Sequence, residues 1–282
     1  MNILTFDVEE WFHLLDFDAT RTEDKWDNYE VRIHKNMERI FRILEETDTK
    51  ATFFVIGWIA QRYPEIVKEI AEKYEIGSHT MTHQLVWQQT PEDFKKDVEA
   101  SIKLLQDITG KPVKYFRAPG YSIRKEEAYA FETLSDLGIE IDCSVFPATH
   151  AHGGMPQFPT AAPSIIEYNG KRIKELPVSP VKIAGKNIIY SGGGYFRLFH
   201  YSLIKHLTKK NAAYNMAYIH PRDLDGAQPV LEGLPLSRRF KSYVGTKNAE
   251  TKLRHYLSDF KFTDIATVDK EFDWNNAQVI KL

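Results

Sequence analysis

Apolar, strand-type segments alternate with segments of helical periodicity through the first half of this 282-residue chain, and this alternation restricts the fold more than any other feature. The strand-type runs lie at 2–6, 51–56, 75–78, 113–116 and 139–143. Between them, apolar residues recur at helical spacing, as in Phe94, Val98, Ile102 and Leu105. Strands separated by helices pair in parallel through crossover connections. The sequence therefore predicts an α/β protein with a parallel sheet.

The second half has weaker periodicity. Residues 148–163 are rich in Pro, Gly, Ala and His, which predicts a long loop beside the functional site. Strands are expected at 172–178 and 216–220, and helices at 202–210 and 247–259. No linker separates a second domain, so we expect one domain over residues 1–282, with 147–200 as a long loop and substrate-side insertion.

Composition excludes several classes of partner. With 37 basic and 39 acidic residues the net charge is −2, which gives no overall field for nucleic acid or an anionic membrane. The single cysteine, Cys143, cannot form an intramolecular disulfide. Neither a leader nor an apolar run long enough to span a membrane is recognisable, so the expected location is cytoplasmic. The oligomeric state stays open, a homo-oligomer included.

Polar residues follow the strand-type runs. Asp7, His79, Arg117 and Asp142 all stand where a strand ends, and ligands of parallel α/β folds bind at that edge. His79 and His83 are four residues apart, a spacing that also arises by chance among ten histidines in surface or helix-capping positions. The carboxylates at Asp7, Glu9 and Glu10 strengthen a metal interpretation, because two His and one carboxylate leave coordination positions free for water and substrate.

These residues carry a family resemblance. The chain resembles the polysaccharide deacetylases of carbohydrate esterase family four, the nodulation chitooligosaccharide deacetylase homology group. Thr5-Phe6-Asp7 is similar to the first family motif, but its usual second Asp is replaced by Val8. The second motif matches His79-Thr80-Met81-Thr82-His83 throughout, and Arg117-Ala118-Pro119-Gly120-Tyr121 resembles the third. Asp142-Cys143-Ser144 is a loose fourth motif, and Tyr218-Ile219-His220-Pro221 resembles the fifth.

The resemblance implies a distorted, TIM-like (β/α) barrel of about seven parallel strands. It implies a divalent metal, zinc first and cobalt or nickel as alternatives, held by His79, His83 and a carboxylate. That carboxylate is expected to be Glu9, with Glu10 as the substitute.

The catalytic roles also come from the resemblance. It gives Asp7 as general base paired with Arg117, the Tyr121 backbone amide as oxyanion donor, and His220 as general acid oriented by Asp142.

Three further segments are similar to a subgroup found with exopolysaccharide and surface-glycan biosynthesis, namely 7–13, 191–197 and 220–225. This similarity makes Trp11, His13, Tyr195 and Arg197 candidate sugar contacts. The Gly-rich run at 192–194 lacks the Lys-Ser/Thr ending of a phosphate-binding loop. The implied reaction is hydrolysis of the N-acetyl group of an amino sugar in a polysaccharide or glycan precursor.

Three alternatives remain. Two His and one carboxylate also suit a non-haem iron oxygenase, but the alternating α/β pattern contradicts the β-sandwich usual for that class. A non-catalytic glycan-binding protein on the same scaffold is the second. A hydrolase of a small non-sugar amide is the third.

Overall fold

The computed structural model describes residues 1–14, 17–183 and 185–282. Its strands are β1 Asn2–Val8, β2 Thr52–Val55, β3 Glu75–Ser78, β4 Tyr115–Phe116, β5 Ile141–Asp142, β6 Ser164–Tyr168, β7 Lys171–Glu175, β8 Val181–Ile183, β9 Lys186–Ile188, β10 Asn215–Ile219 and β11 Gln278–Lys281.

The α-helices follow the strands along the chain. They are α1 Ile33–Glu46, α2 Gly57–Arg62, α3 Pro64–Lys73, α4 Pro91–Thr109, α5 Tyr129–Asp136, α6 Gly193–Leu198, α7 Tyr201–Lys210, α8 Leu236–Tyr243, α9 Thr246–Asp259 and α10 Ile265–Glu271. None of the described helices is both long and apolar enough to cross a membrane.

Nine strands form one sheet in the order β10-β1-β2-β3-β4-β5-β7-β6-β11. Neighbouring strands pair in parallel except β6 with β7, which form an antiparallel hairpin. The α/β class and the mainly parallel sheet are therefore confirmed, with nine strands where about seven were expected.

Helix α4 shows how closely local sequence sets the elements. The Thr90 side chain accepts a hydrogen bond from the Asp93 amide at the start of the helix, and Gly110 ends it with a left-handed φ of 67°. Phe94, Val98 and Leu105 are fully buried, so the apolar stripe faces the sheet. The buried face follows the apolar spacing that predicted this helix.

The segment 147–200 departs from the predicted long loop and insertion. It contributes β6 and β7 to the main sheet, then the separate β8–β9 hairpin, then α6. The strand-forming residues Ile165, Ile166 and Ile173 account for β6 and β7. Only the first part, up to Pro163, lacks strands and helices. The single-domain prediction stays a prediction, supported by a sheet that continues through both halves of the chain.

The carboxyl ends of the strands share one edge of the sheet. Asp7 is the second-last residue of β1, and His79, Arg117 and His220 each directly follow a strand. Because parallel strands end at the same edge, residues distant in sequence meet there.

Candidate metal and catalytic site

Glu9, His79 and His83 converge on one point. Glu9 Oε1 lies 3.2 Å from His79 Nε2 and 3.0 Å from His83 Nε2. All three side chains are buried, and their ligand atoms lie within 4.8 Å of one another. Burial would raise the pKa of Glu9, but His83 and His220 hold it well below its usual value. The three residues predicted as ligands are thus brought together.

The hydrogen bonding of His79 tests whether this cluster suits a cation. Its Nδ1 lies 2.7 Å from the Arg117 carbonyl oxygen, which can only accept, so Nδ1 carries a proton. In a neutral ring, Nε2 then carries no proton, and its lone pair faces the Glu9 carboxylate. Two acceptors at this distance need a proton or a cation between them, and a backbone carbonyl behind the ring is the usual support of a metal-binding histidine. The donor set fits a divalent transition metal.

The two histidines lie in an irregular loop, not on a helix. Thr80 and His83 both have positive φ, 66° and 57°, which is strained for residues with a side chain. Asp97 of α4 stabilises this loop by accepting from the Met81 amide at 2.9 Å and from the Thr82 amide and hydroxyl at 3.1 and 2.6 Å. The strain is therefore balanced by a carboxylate from a neighbouring helix.

Helix α2 packs against the same loop. The Gly57 and Trp58 amides donate to the Thr80 and Met81 carbonyls at 2.8 and 3.0 Å. A Cβ on Gly57 would lie 2.9 Å from the Met81 Cα, closer than such atoms approach. A glycine at the first position of α2 therefore allows the histidine loop to pack closely against the start of this helix.

Asp7 and Arg117 form the predicted pair. Arg117 Nη1 donates to Asp7 Oδ1 at 2.6 Å and to Thr5 Oγ1 at 2.8 Å. The guanidinium is fully buried; burial would lower its pKa, but Asp7 raises it. Arg117 therefore stays charged and holds Asp7 in one orientation.

His220 lies across from the two carboxylates. Its Nε2 is 3.8 Å from both Asp7 Oδ2 and Glu9 Oε1, and its Nδ1 is 2.9 Å from Asp223 Oδ2. Burial would lower the pKa of His220, but Glu9, Asp223 and Asp7 raise it to about 9. The ring is therefore in its protonated form at neutral pH.

Asp142 does not orient His220, and that prediction is wrong. Its oxygens accept from the Ser144 amide at 3.0 Å and the Ser144 hydroxyl at 2.6 Å. The Ser144 hydroxyl in turn accepts from the Ala118 amide at 2.8 Å. Asp142 thus stabilises the Arg117–Tyr121 segment, while Asp223 contacts the histidine.

The Tyr121 amide is also placed differently from the prediction. It donates to the Ala118 carbonyl at 3.1 Å within a tight turn, and Tyr121 has a φ of 53°. An amide already bonded in a turn is not available to an oxyanion. The tyrosine ring still lines the cavity and packs edge-on against Tyr218 with ring centroids 5.1 Å apart.

The choice between Glu9 and Glu10 follows from their directions. Glu10 points away from the histidines: its Oε1 accepts from the Arg32 and Ile33 amides at 2.6 and 2.7 Å, at the start of α1.

Trp11 also turns inward, donating from Nε1 to the Glu30 carbonyl at 2.8 Å. Trp11 is not among the described residues that line the cavity, so the predicted sugar contact is wrong.

A cavity of about 720 Å³ opens above these groups. Tyr195 lines it and is 39% exposed, consistent with its predicted role. His13 lines it too, but His13 Nε2 is enclosed and has no hydrogen-bond partner within the described part of the chain. Both rings contribute to the wall, and only Tyr195 offers a free edge.

Arg197 is held within the wall. Its Nη atoms donate to the carbonyls of Lys241, Ser242 and Val244 at 2.8–3.1 Å. Its Nε lies 2.7 Å from Asp223 Oδ1, at an angle that makes the contact an ion pair rather than a hydrogen bond. The predicted sugar contact is therefore a support for Asp223.

Sequence reasoning missed Asp97 and Asp223. Asp97 lies mid-helix among other acids, and nothing in its local pattern marks it. Asp223 had a signal, since His220-Pro221-Arg222-Asp223 places an acid three residues after the histidine, the spacing of a capping box.

Two segments of the chain match family models. Residues 13–141 match a family model described as polysaccharide deacetylase, and residues 143–270 match a domain of unknown function, DUF3473. A peptidoglycan-N-acetylglucosamine deacetylase of Bacillus cereus is 31% identical over 103 residues, covering 36% of this chain and 46% of that protein. A chitooligosaccharide deacetylase of Azorhizobium caulinodans is 34% identical over 82 residues, covering 28% and 39%. The chain thus spans less than half the length of these relatives.

Solved structures share the fold. A Mycobacterium smegmatis protein assigned to the polysaccharide deacetylases superposes with a TM-score of 0.70 at 17% identity, covering 100% of this chain and 92% of that one. A Bacillus anthracis pseudoenzyme of carbohydrate esterase family four gives 0.51 at 14%, covering 95% and 64%.

Fold and site together define an α/β protein with a carboxylate–histidine centre at the carboxyl ends of its strands. The chain contains a polysaccharide deacetylase domain, matched over residues 13–141.

Proposed function

We propose that this chain is a metal-dependent hydrolase that removes the N-acetyl group from an N-acetylated amino sugar in a polysaccharide or glycan precursor. The observation that carries the proposal is the contact of Glu9 Oε1 with His79 Nε2 and His83 Nε2 at 3.2 and 3.0 Å. Glu9, His79 and His83 would hold a divalent ion, which would supply Lewis-acid polarisation of the acetyl carbonyl and lower the pKa of bound water. The remaining steps are carried by side chains.

Asp7 is the proposed general base. It is buried, oriented by the 2.6 Å bond from Arg117, and its free oxygen Oδ2 faces the space shared with His220. In this position Asp7 accepts a proton as water attacks the acetyl carbon. The permanently charged Arg117 pairs with this carboxylate and holds it in place before the reaction.

His220 is the proposed general acid. Because its pKa is raised to about 9, the ring holds a proton that it can donate to the nitrogen of the breaking amide bond. The bond between the carbonyl carbon and nitrogen breaks, and the products are acetate and a free amino sugar. Asp223 keeps the ring oriented through Nδ1.

The cavity supports a sugar substrate. Its volume of about 720 Å³ lies within the range of small-molecule sites, and its wall combines aromatic rings with a few polar groups. Tyr195, at the rim, is 39% exposed and offers an aromatic ring against which a sugar can pack. Zinc as the native metal, a cytoplasmic location and a homo-oligomer stay proposals without further support.

Acetate release from N-acetylhexosamine oligomers tests the function. The purified protein is freed of metal, reloaded with zinc, cobalt or nickel, and compared with Asp7→Asn, which removes the base but retains the hydrogen bond to Arg117. We expect metal-dependent release that falls by about 10²-fold or more in the variant. A second assay with small acetylated amides of non-sugars separates the amidase alternative.

Equal release by wild type and Asp7→Asn would reject the catalytic assignment. Retention of oligomers without release, in the metal-loaded protein, would instead establish the non-catalytic glycan-binding alternative. Metal content is measured on the same samples, so that a failure of loading is distinguished from a failure of chemistry.

A further inference from the structure

One side of the cavity mouth exposes large apolar side chains. Tyr195 and Leu198 of α6 are 39% and 48% exposed, and Leu236 and Phe240 of α8 are 84% and 58% exposed. We call these four residues the rim surface. Tyr195, Leu198 and Phe240 also line the cavity, while Leu236 lies one helical turn before Phe240 on the same face. Single exposed apolar residues are normal, but a group of them at a functional opening marks an interaction site.

The chain around α8 is basic. Residues 227–247 contain four basic side chains, Arg238, Arg239, Lys241 and Lys247, against one acid, Glu232. The whole chain has a net charge of −2, so positive charge is concentrated on this segment. Arg239 and Lys241 are exposed and lie beside Phe240. The electrostatic potential at the rim is therefore expected to be positive, although the chain as a whole carries little net charge.

We propose that the rim surface docks on an anionic lipid bilayer. Aliphatic side chains such as Leu198 and Leu236 suit acyl chains, whereas sugars are bound by flat aromatic faces. Exposed apolar residues next to arginine and lysine are the features by which a short amphipathic helix binds the headgroup region of acidic membranes. Charge complementarity thus selects anionic lipid over neutral lipid.

The surface is rigidly joined to the cavity. Arg197 of α6 donates to the carbonyls of Lys241 and Ser242 at the end of α8, which holds the two helices together. The cavity mouth therefore faces the same way as the rim surface. Docking itself does not depend on the proposed function. If the proposed function is combined with docking, the substrate glycan is expected at a membrane, as a lipid-linked or membrane-bound chain; this second step rests on the proposed function.

Vesicle flotation tests the docking. The full chain is mixed with vesicles of phosphatidylcholine alone or of phosphatidylcholine with phosphatidylglycerol. We expect binding to the mixed vesicles that weakens with added salt, and little binding to the neutral ones. The double variant Leu236→Ser with Arg239→Gln should reduce binding by about tenfold. Both side chains are exposed, and neither lines the cavity.

A matched control changes two exposed lysines at the opposite edge of the sheet. Lys50 precedes β2, and the Lys261 carbonyl accepts from Asn2 at the start of β1. The variant Lys50→Gln with Lys261→Gln removes two positive charges far from the rim and should bind like wild type. If it loses binding equally, attraction to lipid is general and the assignment to the rim surface is wrong.

Activity on soluble oligomers separates the two proposals. The Leu236 and Arg239 variant should release acetate from soluble oligomers at the wild-type rate while losing vesicle binding. Vesicle binding without any acetate release would reject the proposed function and leave docking supported. Docking is overturned if the wild-type chain does not bind anionic vesicles, or binds them no better than the double variant does. This conclusion holds whatever the acetate assay shows, and the rim surface would then be assigned to a protein partner.

Discussion

Asp223 holds His220 in place: Asp223 Oδ2 lies 2.9 Å from His220 Nδ1. Burial would raise the pKa of Asp223, but Arg197 and His220 hold it well below its usual range, so the carboxylate is ionised and accepts the Nδ1 proton. The opposite ring nitrogen then faces Asp7 and Glu9, 3.8 Å from an oxygen of each. The direction of the proposed acid is thus set by a residue only three positions along the chain.

Replacing Asp223 should damage turnover more than binding. In Asp223→Asn the amide is neutral, so it holds the charged ring less strongly and no longer supports its raised pKa. We expect kcat for acetate release to fall by about 10- to 100-fold, part of the 10² to 10⁴ that general acid catalysis contributes. KM should change little, because Asp223 is enclosed behind the ring. Steady-state kinetics on acetylated oligomers provides the measurement.

Asp142→Asn is the matched control. The amide oxygen can still accept one of the two hydrogen bonds from Ser144, and no described contact joins Asp142 to His220. This variant should keep most of the turnover. A larger loss of kcat in Asp142→Asn than in Asp223→Asn would restore the orientation role that the sequence assigned to Asp142.

The fold was predictable where local and periodic signals agree. β3 at Glu75–Ser78 and α4 at Pro91–Thr109 were recognised because a capping residue, a turn glycine or an uninterrupted apolar stripe marks their ends. The hairpin β6–β7 was missed in part, because β6 follows a Pro-rich loop and β7 begins with charged residues. Its strands are stabilised by pairing within the sheet, which a sequence pattern does not show.

The site was predictable for side chains that stand at strand ends. Glu9, His79 and Arg117 follow that rule, so their convergence could be expected. Asp97 could not be, because its role depends on how α4 lies against the histidine loop. The Tyr121 amide was misassigned for a related reason: a motif gives residue types, but the turn that occupies the N–H exists only in three dimensions.

Glu9 and Glu10 should separate cleanly in metal binding. Glu9→Gln replaces the carboxylate that faces both histidines, and metal retention should fall by at least about 100-fold. Glu10→Gln should retain the metal but lower the free energy of unfolding by about 1 kcal/mol, because Glu10 satisfies the first amides of α1. Elemental mass spectrometry and urea unfolding are the two measurements. Metal loss in Glu10→Gln with retention in Glu9→Gln would reverse the ligand assignment.

Asp97 should affect metal affinity without touching the metal. In Asp97→Asn the side chain can no longer accept from both the Met81 and Thr82 amides with full charge, so the strained histidine loop loses its support. We expect metal affinity to fall by about 10- to 100-fold. Glu99→Gln, an exposed acid on the same helix, is the control and should bind metal as wild type does. Competition with a coloured chelator measures both, and equal affinities would show that Asp97 has no such role.

A buried carboxyl pair links stability to pH. Glu175 lies opposite Asp142 across β5 and β7, and its Oε1 accepts from the Val145 amide at 3.2 Å. Burial first, and then the neighbouring Asp142, raise the pKa of Glu175 well above its usual value. Glu175 Oε2 is buried and has no hydrogen-bond partner among the described residues, which disfavours the ionised carboxylate. Glu175 therefore keeps a proton that an exposed glutamate would lose.

The sign of the effect follows from proton binding. At a pH between the unfolded-state pKa of Glu175, near 4.5, and its raised folded-state pKa, the folded chain binds more protons than the unfolded chain does. The stability that Glu175 contributes below pH 4.5 is therefore lost as the pH rises. Glu175→Gln has a similar shape but no titrating proton, and it should flatten this slope, which is at most about 1.4 kcal/mol per pH unit for one proton. Urea unfolding from pH 5 to 8 measures it. Glu126→Gln, which changes an exposed acid, should leave the wild-type slope unchanged, and an unchanged slope in Glu175→Gln as well would refute the raised pKa of Glu175.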